Sequence, residues 1–151
     1  MKQTTKNMIA LLLAAVMLLA LAACGSKNTD EEGGQNPVMN FIGDYAADRC
    51  TITVEADGET NAKISVIWSN SATEAEEYTM SGTFDPDTLR INYSNGEKKT
   101  VTYDDNGGIV EEKVEYSNGV GRIQFYGDGT LAWQDEQEVD RLVGMTFTLL
   151  N

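Results

Sequence analysis

Histidine is absent from the 151 residues, which removes imidazole general bases, histidine-containing triads and zinc sites with histidine ligands. Positive charge is scarce. Eleven Lys and Arg face 24 Asp and Glu, and Lys98-Lys99 is the longest basic run. The clustered cations that grip phosphate backbones are missing, and no nucleic-acid partner is expected. Long apolar runs are confined to the first two dozen residues, and no segment after residue 37 carries a convincing helical stripe. Its best helical candidate is Ser71-Ala72-Thr73-Glu74 ahead of Ala75-Glu76-Glu77, a capping-box pattern good for a turn or two. No cofactor motif is present, and no metal site is expected. Asp85-Pro86-Asp87 and Asp104-Asp105-Asn106-Gly107-Gly108 lack the ligand spacing of a calcium loop and read as turns. Glu111, Glu112 and Glu115 beside Lys113 read as a solvated strand face, so no catalytic residue is assigned and the chain is expected not to be an enzyme.

Residues 1–23 open with Lys2 and Lys6, continue through an apolar stretch of about 16 residues and end on small residues, the three-part layout of an export signal. The stretch falls short of the roughly 20 residues that span a bilayer as a helix. Leu21-Ala22-Ala23-Cys24-Gly25 resembles the lipobox of bacterial lipoproteins. That resemblance implies cleavage before Cys24 and a fatty-acylated Cys24 as the first mature residue. Two or three acyl chains hold stably where one is marginal, at about 0.8 kcal/mol per buried methylene. The implied location is the bacterial cell membrane, lipid-anchored on its extracytoplasmic face. Residues 24–37 then form the lipidated cysteine and a polar, acidic tether with a typical reach of about 20 Å. Beyond the signal, 9 basic residues stand against 24 acidic ones, a formal charge of −15. With Cys24 committed to lipid, Cys50 is left without an intrachain partner. It alternates with Ile52 and Val54 on the apolar face of a strand, as a buried structural cysteine would.

From residue 38 to 151 the sequence reads as one all-β domain. Direct counting gives about ten short strands over 41–46, 49–56, 62–69, 77–84, 88–93, 98–103, 110–116, 121–126, 130–134 and 142–149, and eight to ten is the expected range. Asp57-Gly58, Asn95-Gly96, Asn118-Gly119 and Asp128-Gly129 each supply the positive-φ pair of a tight hairpin turn. Trp68-Ser69-Asn70, Tyr93-Ser94-Asn95 and Tyr116-Ser117-Asn118 look like a recurring hairpin. An antiparallel meander with one dry face must close into a small up-and-down barrel or fold over as a β-sandwich. Phe41-Ile42-Gly43-Asp44-Tyr45, opening the first strand, is similar to the G-x-W region of lipocalins, with Tyr45 in the place of tryptophan. The resemblance implies a lipocalin-like, calycin-type barrel.

Aromatic residues make the candidate ligand site: Tyr45, Trp68, Tyr78, Tyr93, Tyr103 and Trp133, which either fill the barrel or line a pocket within it. Tyr126 and Trp133 are harder to place, and either one, if exposed, suits stacking on a sugar ring. The expected function is a monomeric, membrane-anchored, non-catalytic binding or interaction module holding a small apolar ligand. The alternatives are a glycan or envelope-polymer binder, and an inhibitor of a cationic enzyme such as a lysozyme, steered by the negative charge.

Overall fold

A computed structural model describes residues 36–151, and the expected signal over 1–23, Cys24 and the expected tether up to residue 35 lie outside the described residues. Eight strands follow one another as antiparallel neighbours and close into a barrel: β1 (Gly43–Ala47), β2 (Cys50–Asp57), β3 (Asn61–Ser69), β4 (Glu74–Asp85), β5 (Arg90–Tyr103), β6 (Ile109–Phe125), β7 (Thr130–Asp135) and β8 (Phe147–Leu149). A short helix, α1 (Val139–Leu142), lies between β7 and β8. The meander is all-β, and of the two closures weighed it is the barrel.

Period-two patterning sets which side of each strand faces in. In β3 the buried residues are Ala62, Ile64, Val66 and Trp68, and the residues between them are exposed or half-buried. In β2 Cys50, Ile52 and Val54 turn inward beside them. Glycines at positive φ shape two of the expected turns, Gly58 at 72° and Gly129 at 82°.

Two other Asn-Gly pairs do not turn the chain. The segments 88–93 and 98–103 join into β5, 110–116 and 121–126 join into β6, and ten expected strands become eight. Gly96 and Gly119 instead face each other across these two long strands, where the register shifts. A Cβ on Gly119 would lie 2.7 Å from the Tyr116 ring, and one on Gly96 3.2 Å from the Gly119 carbonyl oxygen. Close approach of two bulged backbones, rather than a hairpin, is what needs glycine here. The Tyr-Ser-Asn echo thus marks paired bulges at residues 93–95 and 116–118, while Trp68-Ser69-Asn70 marks a strand end.

Three further expectations change. The Ser71–Glu77 segment holds no helix: the Ser71 hydroxyl accepts from the Thr73 N–H, and β4 begins at Glu74. The expected strand over 142–149 shrinks to three residues, because α1 ends at Leu142 and Gly144 takes φ 74°. Phe41 belongs to a 3-10 turn, Pro37–Phe41, with Val38 buried beneath it.

Both barrel ends are stoppered. At the entry end, Asn36 donates to the carbonyls of Asn61 (2.6 Å) and Gly58 (3.2 Å). The Phe41 ring sits 5.0 Å from Phe125 and 5.3 Å from Phe84, and Tyr45 donates to the Phe41 carbonyl at 2.9 Å. At the far end Leu142 of α1 is buried in the core. No helix among the described residues is long and apolar enough to cross a membrane.

Candidate functional site

Alternation places five of the six candidate aromatics inside the barrel, where they fill it. Tyr45, Trp68, Tyr78, Tyr93 and Trp133 are all buried in one core cluster. Trp133 packs edge-on against Tyr78 with centroids 4.9 Å apart. The sixth, Tyr103, is on the outer face of β5, half-buried, and donates to Glu77 at 2.9 Å. Tyr126 directly follows β6 and is 44% exposed, so of Tyr126 and Trp133 only Tyr126 is accessible.

The interior is held by a polar chain as well as by packing. The Trp133 indole N–H donates to the Tyr93 hydroxyl at 2.8 Å, and that hydroxyl donates to Asp135 Oδ2 at 2.7 Å. Asp135 Oδ1 accepts from the Gln137 N–H at 2.8 Å. Burial drives the Tyr93 phenol well above its ordinary range, with the bond to Asp135 acting in the same direction and the Trp133 bond against it. Gly121 lies under this chain, where a Cβ would sit 2.4 Å from the Tyr93 oxygen.

A second cluster closes the far end. Lys98 Nζ lies 2.5 Å from Glu138 and 3.2 Å from Glu76, and Arg141 pairs with Glu76. The Arg141 guanidinium stacks on Trp68 at 3.8 Å, and Lys98 stands 5.2 Å above the Tyr78 ring. Burial pushes the Glu76 carboxyl up, but Arg141 and Lys98 together outweigh it and hold the group below its ordinary range. Two cations and two carboxylates satisfy one another here, and the cluster pins α1 to the wall. Cys50 lies in the same core, and burial pushes its thiol up to about 12 against the pull of Arg141, which leaves it an inert core thiol. Glu111, Glu112, Lys113 and Glu115 lie on the exposed stretch of β6. Among the described residues no three His, Cys, Asp or Glu side chains gather as a metal site.

An accessible concavity lies outside the barrel. A groove of about 720 Å³ runs between the outer faces of β6 and β7 and the connection carrying α1. Asn92, Arg122 and Gln134 form its polar floor, with Arg122 donating to Gln134 at 2.7 Å. Its apolar rim is Tyr126, Val139 (56% exposed) and Val143 (76% exposed). The rim was missed in the sequence because Val143, Met145, Phe147 and Leu149 alternate as a strand does, and the break at Gly144 comes from φ alone. Only the misfit of Tyr126 with its strand gave a signal. Comparison of the chain with protein-family models, with curated proteins and with solved structures returns no match.

Proposed function

We propose that this chain is a membrane-anchored lipoprotein on the extracytoplasmic face of a bacterial membrane, a non-catalytic module that binds through the outer wall of its barrel. The observation that carries the binding part is the contrast between a stoppered interior filled by Tyr45, Trp68, Tyr78, Tyr93 and Trp133 and an open groove rimmed by exposed Val139 and Val143. Ligand sites are concave and largely apolar with a few placed polar groups, and the groove has that composition where the interior has no room. Internal capture of a small apolar ligand gains no support from such packing. A glycan-binding surface would use a row of exposed aromatics, and on this wall only Tyr126 offers one, because Trp133 is buried. The anchoring part rests on Leu21-Ala22-Ala23-Cys24.

Two readouts test the proposal. Cys24→Ser is expected to leave the membrane fraction or to remain uncleaved, and normal maturation with unchanged fractionation would overturn the anchor. A photo-crosslinking residue at Val143 is expected to capture a partner in the intact envelope where one at Glu55, on the outer face of β2, does not. Equal capture at both positions, or at neither, would remove the groove from the account.

A further inference from the structure

β6 runs on beyond the strand that covers it. β7 pairs with β6 only from Gly121 to Phe125, whereas β5 follows β6 back to Ile109. Residues 109–115 are thus a sheet edge with no strand on its second side among the described residues. All seven are exposed as whole residues, Val110 at 66%, Ile109 at 60% and Val114 at 53%. The Tyr103 N–H donates to the Thr73 carbonyl ahead of β4, and the Asp104 N–H to the Gly108 carbonyl ahead of β6, both at 2.8 Å. Even-numbered residues of β5 therefore turn their backbone groups to β6, where Thr100 lies opposite Lys113 and Thr102 opposite Glu111. Antiparallel alternation then aims the N–H and C=O groups of Glu112 and Val114 away from β5, at the open edge. Proline, a covering loop or a tight bulge ordinarily blunts such an edge, and an exposed one flanked by valines invites another strand.

We propose that a second copy of this chain pairs along this edge, the two β6 strands running antiparallel about a two-fold axis at Glu112. Such an axis sets one residue opposite itself and fixes every other pair. At Glu112 it brings Glu111 opposite the partner's Lys113 and Val110 opposite the partner's Val114, each twice, and the outward backbone groups of Glu112 meet their own symmetry mates. Other registers on this stretch are worse. An axis at Lys113 sets lysine on lysine and Glu111 on Glu115, and one at Glu111 sets glutamate on glutamate and Val110 on Glu112. An axis at Val114 carries the ladder toward Val120, whose carbonyl already accepts from the Glu136 N–H at 2.9 Å. Between Val110 and Val114 the chosen register has one unfavourable pair, Glu112 on itself. Residues 36–151 hold 8 Lys and Arg against 21 Asp and Glu, a formal charge of −13, which opposes association of two copies. A five-residue ladder of about 17 Å is also short. The dimer is therefore weak, with a Kd on the order of 10–100 μM.

This inference does not rest on the groove, which lies along the other half of β6. It is tested by sedimentation equilibrium of the full chain at concentrations up to about 0.5 mM, well above the expected Kd. The parent is expected to double in mass as concentration rises. Glu111→Lys and Lys113→Glu, at exposed positions that spare the core, each set two like-charge pairs across the edge and are expected to weaken the dimer at least tenfold. An equimolar mixture of the two variants restores both opposite-charge pairs and is expected to associate as the parent does. Glu112→Gln removes the like charge at the axis and is expected to tighten the dimer at least threefold. A parent that stays monomeric throughout, single variants that associate as well as the parent, or a mixture no better than either variant alone overturns the proposal. No tightening in Glu112→Gln overturns the register. A photo-crosslinking residue at Val114 that joins a different protein, without any doubling of mass, overturns the second copy as the occupant of this edge.

Discussion

Tyr93→Phe removes one oxygen and breaks two buried hydrogen bonds. The Trp133 indole N–H loses its acceptor at 2.8 Å and Asp135 Oδ2 loses its donor at 2.7 Å. Both groups belong to side chains inside the barrel, Trp133 being 1% and Asp135 3% exposed. An orphaned neutral donor costs about 1–3 kcal/mol and a carboxylate oxygen more, so the expected loss is about 3–5 kcal/mol. Asp135 keeps its bond from Gln137, which limits the loss. Against a typical domain stability of about 5–15 kcal/mol this is a large fraction. With a urea slope of about 1.5 kcal/mol per molar, the unfolding midpoint followed by tryptophan emission should fall by about 2–3 M. The internal control is Tyr116→Phe. The Tyr116 hydroxyl is buried on the Asp135 side and makes no well-formed hydrogen bond, so deleting it should cost far less than deleting that of Tyr93. In a double-mutant cycle, Tyr93→Phe and Trp133→Phe should be strongly non-additive. A loss below about 1 kcal/mol for Tyr93→Phe, or equal midpoints for the two tyrosine variants, would refute the polar chain as a determinant of the core.

Gly121→Ala should cost about 1–3 kcal/mol, because the new methyl would lie 2.2 Å from the Gln134 carbonyl oxygen and 2.4 Å from the Tyr93 oxygen, whereas Gly127→Ala, with open space around it, should be near neutral. Urea midpoints compare the two directly. Glu76 has a folded-state pKa held below its reference of 4.5, so its contribution is present above that value and is lost as pH falls through the lower folded one. Stability measured from pH 6 to pH 3 should therefore decline less steeply in Glu76→Gln than in the parent, and parallel curves would dismiss the cluster as a pH-dependent latch on α1. The Cys50 thiol, pushed up to about 12 and buried, should react with a thiol reagent only at the rate of unfolding, and rapid labelling of the folded chain would contradict its burial.

The all-β class, the meander order and the inward faces were legible because each depends on local alternation. Ile64, Val66 and Trp68 face in together, as the spacing required. Among the tight Asx-Gly pairs, turn chemistry was legible where the glycine stands at positive φ, as Gly58 and Gly129 do. Asn95-Gly96 and Asn118-Gly119 carry the same residue pair, but their role is set by each other across the sheet, a contact between positions 23 residues apart that no local reading contains. The groove was hidden for a related reason. It exists because β8 is too short to cover β7, and that depends on the backbone of Gly144 and on α1, which the alternation of Val143 to Leu149 masks. The polar chain through Tyr93, Trp133 and Asp135 likewise joins three residues that each looked like ordinary members of a strand.

The central claim is that a filled barrel leaves binding to its outer wall. Its most direct test is the native mass per chain of the gently purified protein against its denatured mass, in the parent and in Val143→Lys. A native mass equal to the denatured mass, with no small apolar molecule carried along, is the predicted result. An excess mass that is lost on denaturation and retained in Val143→Lys would place a ligand inside the barrel and contradict the account.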